Sequence, residues 1–157
     1  MINKKYLKVD PIIEELLNLL EYWKERTPII DMNISLTTTY NGYQTGNVLY
    51  PTLKNNLLRI LNHYFNLSKI DFFHMHLIEY MKEGYQDKHD HSKHEDISFI
   101  LYLNDSDGDT IFHVDGKEIK EKPEKGKIIL FDANIKHQAL VSNLNKKVAV
   151  GGIKWIS

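Results

Sequence analysis

Residues 97–114 read ISFILYLNDSDGDTIFHV, and this stretch decides the fold. It contains two short runs of apolar and β-forming residues, Ile97–Asn104 and Thr110–Val114, separated by the turn signal Ser106-Asp107-Gly108. Runs this short, bounded by glycine, aspartate and asparagine, are typical of strands. The same pattern continues on both sides of this stretch, so we predict that the second half of the chain is rich in β-structure.

Short β segments are predicted from Asp71 to Trp155, separated by turn signals such as Glu83-Gly84 and Asp115-Gly116. Their length and their β-forming residues favour strands that build a compact sheet structure. The predicted segments are Asp71–Met81, Lys88–His91, Ile97–Asn104, Thr110–Val114, Lys117–Lys120, Lys127–Phe131, Gln138–Val141 and Lys147–Trp155.

The first part of the chain shows helical periodicity instead. A helix is predicted from Asp10-Pro11, with Asp10 as N-cap, to Thr27-Pro28, and a second helix from about Leu53 to Phe65. Between them, Ile30–Tyr50 is interpreted as a strand and loops, because it contains the β-forming residues Leu36–Tyr40 and the turn pair Asn41-Gly42. Two helices followed by about eight strands indicate an α+β domain, in which the helices support one face of a β-sandwich or barrel. We expect a single domain over residues 1–157, with a helical and loop part over about 1–68 and a barrel core over about 69–157.

The composition limits the possible functions. Twenty basic and 21 acidic residues give a net charge of −1, so nothing indicates general attraction to nucleic acid or to anionic lipid. The chain has no cysteine, which excludes disulfides and thiolate metal sites. No apolar run reaches the length of a membrane span and no secretory signal is visible, so we expect a cytoplasmic location. The oligomeric state is not readable from these features.

Histidine is abundant, and its spacing indicates a metal site. In His89-Asp90-His91, alternation along a strand would place both imidazoles on one face and Asp90 on the other. His137, after the buried-looking strand Ile128–Phe131, is the best candidate for a third ligand. Two or three protein ligands that leave open positions are how iron is held when it must also bind a co-substrate and oxygen. The alternative is that His89, His91 and His94 belong to a solvated loop over Asp87–Asp96, which is rich in charges of both signs.

The residues around these histidines form a pattern. A tyrosine strand ends at Tyr80-Met-Lys-Glu-Gly84, His89-x-His91 follows, and the strand over residues 97–104 ends in Tyr102-Leu-Asn104. Asp107-Gly-Asp-Thr-Ile-Phe112, Pro123-Glu-Lys-Gly126-Lys-Ile-Ile-Leu-Phe131, His137 and Lys146-Lys147 come next. In this order and spacing the chain resembles the prolyl-4-hydroxylase-like branch of the iron(II)/2-oxoglutarate oxygenase superfamily. It also resembles short oxygenases in which the first ligand pair reads H-x-H.

The resemblance implies a double-stranded β-helix, which is a jelly-roll or cupin-like barrel, with two supporting N-terminal helices. It implies that iron(II) is bound by His89, His91 and His137, with His91 at the place of the family's aspartate. It further implies a 2-oxoglutarate pocket formed by Tyr80, Tyr102 and a basic residue, for which Lys147 is predicted and its neighbour Lys146 is the alternative. The implied activity is a dioxygenase that hydroxylates a C–H bond of a small molecule, an amino acid or a peptidyl substrate.

Three alternatives remain open at this point. Asp96, in His94-Glu95-Asp96, could supply the carboxylate in place of His91, or the site could have no third protein ligand. The chain could be a cupin-type dioxygenase or isomerase that does not use 2-oxoglutarate, since Gly84-x4-His89-x-His91-x3-Glu95 approximates the first cupin motif. Against this, His137 lies 14 residues after Pro123, much further than in the second cupin motif. A metal-free binding module on the same barrel is the third alternative.

The other histidines carry weaker predictions. His74 and His76 lie in an apolar strand and share a face with Tyr80, so they are expected to line the barrel or to be satisfied core residues, with substrate contact as an alternative. His113, beside a hairpin turn, and His63, in the second helix, are expected at the surface or at its boundary.

Overall fold

The structure is a computed structural model that describes residues 1–7, 11–27 and 39–156. The described residues contain the helices α1 (Pro11–Arg26) and α2 (Pro51–Phe65), which confirms both predicted helices. The N-cap predicted at Asp10, and most of the strand predicted over Leu36–Tyr40, lie outside the described residues. No helix in the described part of the chain is long and apolar enough to cross a membrane.

Within the described ranges, nine strands form one antiparallel sheet in the order β1-β7-β4-β9-β3-β8-β5-β6, with β2 paired to β3 beside this path. Apart from the hairpin of β5 and β6, neighbours along this path are distant in the sequence, as expected for a barrel that winds back on itself. The strands are β1 (Ile2–Tyr6), β2 (Thr39–Gln44), β3 (Ile70–His89), β4 (Ile97–Tyr102), β5 (Thr110–Val114), β6 (Lys117–Glu121), β7 (Lys127–Asp132), β8 (Lys136–Ala139) and β9 (Lys146–Trp155).

Two features of the sheet differ from prediction. The segments predicted over Asp71–Met81 and Lys88–His91 are one strand, β3, which continues through the turn signal Glu83-Gly84. This strand pairs first with β9 and then with β8, so a single element connects two parts of the barrel. Strand β1 was not predicted, because its residues are mostly polar and exposed and it is held by backbone pairing to β7.

The core has two parts, and alternation along β4 separates them. Ile97, Phe99 and Leu101 point to the helix side, where they join a cluster that includes Leu16 and Leu57. On the other face, Ile100 and Tyr102 join a second cluster inside the curled sheet. All six residues of β4 are buried, since both faces of this central strand are covered. The helices therefore support one face of the sheet, and the concave face is left to form a site.

Candidate metal centre

Three histidines meet on the concave face of the sheet. His89, the last residue of β3, is the direct cross-strand partner of His137 on β8. His91 lies two residues beyond β3, and its backbone N–H donates to the carbonyl oxygen of Ala133 at 2.8 Å, which holds it beside the other two. Their potential ligand atoms all lie within 4.8 Å of one another, so the group could hold a metal ion.

Backbone carbonyls orient two of these rings. The Nδ1 atom of His89 lies 2.7 Å from the carbonyl oxygen of Asp87, and Nδ1 of His137 lies 3.1 Å from that of Ile135. A carbonyl oxygen only accepts hydrogen bonds, so each Nδ1 must carry the proton. Nε2 of each ring is then left unprotonated, which is the form that binds a metal.

The environment keeps the three rings neutral. Burial lowers the pKa of His137 to about 3 and that of His91 to about 4, and it also lowers the pKa of His89. The neighbouring imidazoles shift the pKa values of His137 and His91 in the same direction, because their positive forms repel. Three neutral imidazoles on one side of an open cavity fit iron(II) and similar divalent ions.

Nearby carboxylates do not take part in this cluster. Asp90 accepts hydrogen bonds from the backbone N–H and the hydroxyl of Ser92, at 3.3 and 3.0 Å. Asp96, the sequence alternative to His91, accepts a hydrogen bond from the backbone N–H of Trp155 at 2.9 Å. The structure therefore brings His91, and not Asp96, to His89 and His137.

A cavity of about 450 Å³ opens above the three histidines. Six of the chain's eight histidines line it, including His74 and His76 from β3, which places these two on the barrel wall. The exposed ring of Phe73 lies at its edge. His113 lies away from this cavity, half-buried against Gln138, and His63 is exposed on α2.

A second, smaller cavity of about 20 Å³ lies deeper in the barrel, and His137 lines both. Tyr80 and Tyr102 line the small cavity and are almost fully buried. The hydroxyl of Tyr102 is 2.5 Å from that of Thr110 on β5. Thr110 was not singled out from the sequence, although alternation along β5 places it on the same face as Phe112.

The basic residue of the small cavity is Lys146, whereas Lys147 was predicted. Lys146 is 1% exposed, and its amino group donates to the carbonyl oxygen of Gly108 at 2.7 Å. Lys147 points to the opposite face of β9, where its amino group lies 3.9 Å from Glu21 on α1. The reason is register, since Lys146 pairs with Tyr80, whereas Lys147 pairs with Glu79, whose carboxylate faces α1 and binds Lys24. The structure therefore places Lys146, the alternative to the predicted Lys147, in this cavity.

No protein-family model matches the sequence, and no curated protein shows significant similarity to it. Solved structures do match. A Pseudomonas putida prolyl-4-hydroxylase aligns with a TM-score of 0.71 and 14% identity, over 99% of this chain and 93% of that chain. The fold is that of the prolyl-4-hydroxylase-like oxygenases. The predicted double-stranded β-helix with two supporting helices is thereby confirmed.

Two further structures support the same fold. A viral collagen prolyl hydroxylase from Paramecium bursaria Chlorella virus-1, solved as a 2-oxoglutarate complex, matches with a TM-score of 0.66 and 18% identity over 99% of this chain and 96% of that chain. A Trichoplax adhaerens prolyl hydroxylase, solved with a peptide fragment of a hypoxia-inducible factor oxygen degradation domain, matches with a TM-score of 0.70 and 10% identity over 99% of this chain and 83% of that chain.

Proposed function

We propose that this protein is an iron(II)- and 2-oxoglutarate-dependent dioxygenase. In this proposal His89, His91 and His137 hold the iron, and Lys146 replaces the predicted Lys147 as the residue that binds the far carboxylate of 2-oxoglutarate. The observation that carries the proposal is the position of Lys146. A buried cation lies at the base of the same barrel whose concave face holds three neutral imidazoles, and His137 borders both sites.

The surroundings of Lys146 favour an anionic ligand. Burial lowers the pKa of its amino group to about 8, while Asp107 and Asp109 counteract this shift only through space. The amino group lies 4.6 Å from the centroid of the Tyr80 ring and donates one hydrogen bond to Gly108. An ammonium group has three donors, so a carboxylate could accept the others and would stabilise the buried charge. The hydroxyls of Tyr102 and Thr110 supply additional polar contacts at the same place.

The protein residues would position the reactants and exclude water. Ile78, Ile100, Phe131 and Val150 form apolar walls around the histidines, and such walls strengthen electrostatic contacts inside the site. Bound iron would supply the redox chemistry, in which oxidative decarboxylation of 2-oxoglutarate is coupled to hydroxylation of a C–H bond. The rings of His89 and His137 are held by backbone carbonyls, so they need not reorganise when the metal binds.

We propose that the substrate is a small molecule, a free amino acid or a peptidyl residue. The main cavity is large enough for such a group, and it opens beside the exposed aromatic ring of Phe73. The peptide complex of the Trichoplax protein supports the peptidyl alternative, at low sequence identity.

The cupin-type alternative has less support. It would use Glu95 as a fourth ligand in the motif that begins at Gly84. The Glu95 carboxylate is turned towards His74 and Ser98, and it does not belong to the group whose ligand atoms converge. That alternative also leaves the buried amino group of Lys146 without a role.

The proposal is tested by anaerobic reconstitution with iron(II), followed by addition of 2-oxoglutarate. We expect a visible charge-transfer absorption when the 2-oxo acid chelates the iron, and succinate formation once oxygen is admitted. Substitution His137→Ala should abolish both, whereas His63→Ala on the exposed surface of α2 should change neither. Iron binding without any response to 2-oxoglutarate would contradict the proposal and favour a cupin-type enzyme. Failure to bind iron would favour a metal-free binding module.

A further inference from the structure

A buried carboxylate lies beside the metal centre and is not one of its ligands. Glu95 is 6% exposed. One of its oxygens is 2.6 Å from Nε2 of His74, and the other accepts a hydrogen bond from the hydroxyl of Ser98 at 2.5 Å. Burying a carboxylate costs free energy unless it is hydrogen-bonded and its charge is paired with a positive charge. We therefore asked which positive charge Glu95 would stabilise.

Three strands provide a place for this group. His74 comes from β3 and Ser98 from β4, and Gly152 lies on β9. A Cβ atom at Gly152 would collide with the carboxylate of Glu95, so the missing side chain there leaves the space that the carboxylate occupies. The backbone N–H of Glu95 donates to the carbonyl oxygen of His91 at 3.3 Å. The carboxylate is therefore fixed relative to one of the three candidate ligands.

The ligand set itself has no negative charge. Three neutral imidazoles leave the full charge of a divalent ion uncompensated, whereas a set with one carboxylate would reduce it by one unit. No lysine or arginine lies among the described residues that line the main cavity. His74 Nε2 lies 2.6 Å from the Glu95 carboxylate and would pair with it as a cation only when its ring is protonated. The carboxylate lies close to the site, because its two hydrogen-bond partners, His74 and Ser98, both line the cavity that holds the three histidines.

We propose that Glu95 is a positioning residue of the metal centre, which supplies from outside the ligand set the negative charge that the His91 ligand lacks. This inference rests on the proposed metal site. It predicts that the charge of Glu95 stabilises the bound ion through space, while His74 and Ser98 only hold the carboxylate in place. The metal would then experience a more neutral site than its three imidazoles alone provide.

Cobalt(II) titration of the full chain, followed by visible absorption, tests this inference without turnover. Glu95→Gln keeps the shape and removes the charge, so we expect cobalt affinity to fall about tenfold or more. Glu95→Asp, which keeps the charge, should recover part of that loss. His74→Gln and Ser98→Ala each remove one hydrogen-bond partner but keep the charge and the other partner, so cobalt affinity should stay within about threefold of that of the unmodified protein. Glu79→Gln is the matched control, because Glu79 is a buried carboxylate that binds Lys24 at 2.9 Å on the opposite face of β3.

A second experiment introduces a carboxylate into the ligand set by the substitution His91→Asp. In a His91→Asp background the ion already has a negative ligand, so Glu95→Gln should cost no more than about threefold. The cobalt spectrum at saturation should be the same for Glu95→Gln and the unmodified protein, since the ligands do not change. A changed spectrum would show that Glu95 is itself a ligand and would overturn the inference.

Other outcomes separate the two proposals. If the unmodified protein binds no cobalt, the metal centre of the proposed function fails. If it binds cobalt and Glu95→Gln binds equally well, only the role of Glu95 fails. Equal losses in Glu95→Gln and His74→Gln would indicate a structural network and would also overturn the inference. Thermal unfolding, followed by circular dichroism, identifies variants that bind cobalt weakly because they are unfolded. If Glu95→Gln is such a variant, the cobalt affinities of Glu95→Asp and His74→Gln test the inference instead, since both variants keep the negative charge. Cobalt binding by both variants would support the role of that charge, and loss of binding in both would overturn it.

Discussion

His89 and His137 are direct partners across β3 and β8, and the centroids of their rings lie 4.3 Å apart. Residues opposite each other in adjacent strands keep a fixed separation, so the backbone pairing of the two strands presets the distance between two proposed iron ligands. His91 is held less directly, by one backbone hydrogen bond to Ala133 beyond the end of β3.

The first prediction concerns this pair. His137→Ala or His89→Ala should each reduce iron(II) affinity by about 100-fold or more, because two-point attachment by the remaining imidazoles leaves the ion loosely held. His63→Ala should have no effect. Affinity is measured by competition with a colorimetric chelator under anaerobic conditions. An unchanged affinity in His137→Ala would show that the metal lies elsewhere.

The second prediction separates the two adjacent lysines. Lys146→Ala should raise the KM for 2-oxoglutarate about 30-fold or more, because loss of one partner of a buried ion pair costs a few kcal/mol. Iron binding should persist. Lys147→Ala should leave the KM nearly unchanged, since its amino group lies near Glu21 outside the barrel. The measurement is succinate formation as a function of 2-oxoglutarate concentration. A raised KM in Lys147→Ala together with an unchanged KM in Lys146→Ala would show that Lys147 binds 2-oxoglutarate.

The third prediction concerns His91, where the chain differs from the pattern it resembles. His91→Asp would add a negative ligand, so iron affinity should be maintained or increased, and His91→Ala should lose most of it. Asp96→Ala should keep the affinity while losing about 1 kcal/mol of stability, because its hydrogen bond to the backbone of Trp155 disappears. Iron titration of the three variants gives the answer. Tight binding by His91→Ala together with no binding by Asp96→Ala would reject His91 as a ligand.

The fourth prediction concerns pH. Burial lowers the pKa of His137 to about 3 and that of His91 to about 4, from an unfolded value of 6.5. Between those values the unfolded chain binds more protons than the folded protein. The contribution of these two histidines to the free energy of unfolding is therefore fully present above about pH 6.5 and is lost as the pH decreases towards 4. The melting temperature of the metal-free protein should therefore decrease from pH 7.5 to pH 5.

His137→Gln removes one of these groups and should make the melting temperature less dependent on pH. His63→Gln, at an exposed position, should keep the original dependence. A slope that does not differ between the unmodified protein and His137→Gln would contradict the pKa shift proposed for the buried ring.

Much of the fold was predictable because it depends on local pattern. The helical periodicity before residue 66 and the short β segments after residue 69 correspond to helices and strands in the structure. The exceptions have physical causes. Strand β1 is mostly exposed and polar, so it has no hydrophobic alternation and is stabilised by backbone pairing to β7. Glu83 is a turn signal in the sequence, yet it continues β3 with a positive φ of 71°.

The site was only partly predictable. Alternation along a strand relates residues two positions apart, so His89 and His91 could be grouped from the sequence. Alternation does not by itself show which face of β9 is inside the barrel. For this reason the sequence could not decide whether Lys146 or Lys147 enters the barrel. The buried position of Glu95 was also not predictable, because it depends on space left by Gly152 on a distant strand.

The sequence by itself determined the types and order of most of the elements, the clustering of histidine and the choice of imidazole over thiolate as a metal ligand. The tertiary structure decided which lysine enters the barrel, where Asp96 and Glu95 direct their carboxylates, and that His137 meets His89. The reason is that local propensity acts over a few residues, whereas these relationships depend on the register of strands that are far apart in the chain, as in the pairing of Tyr80 with Lys146.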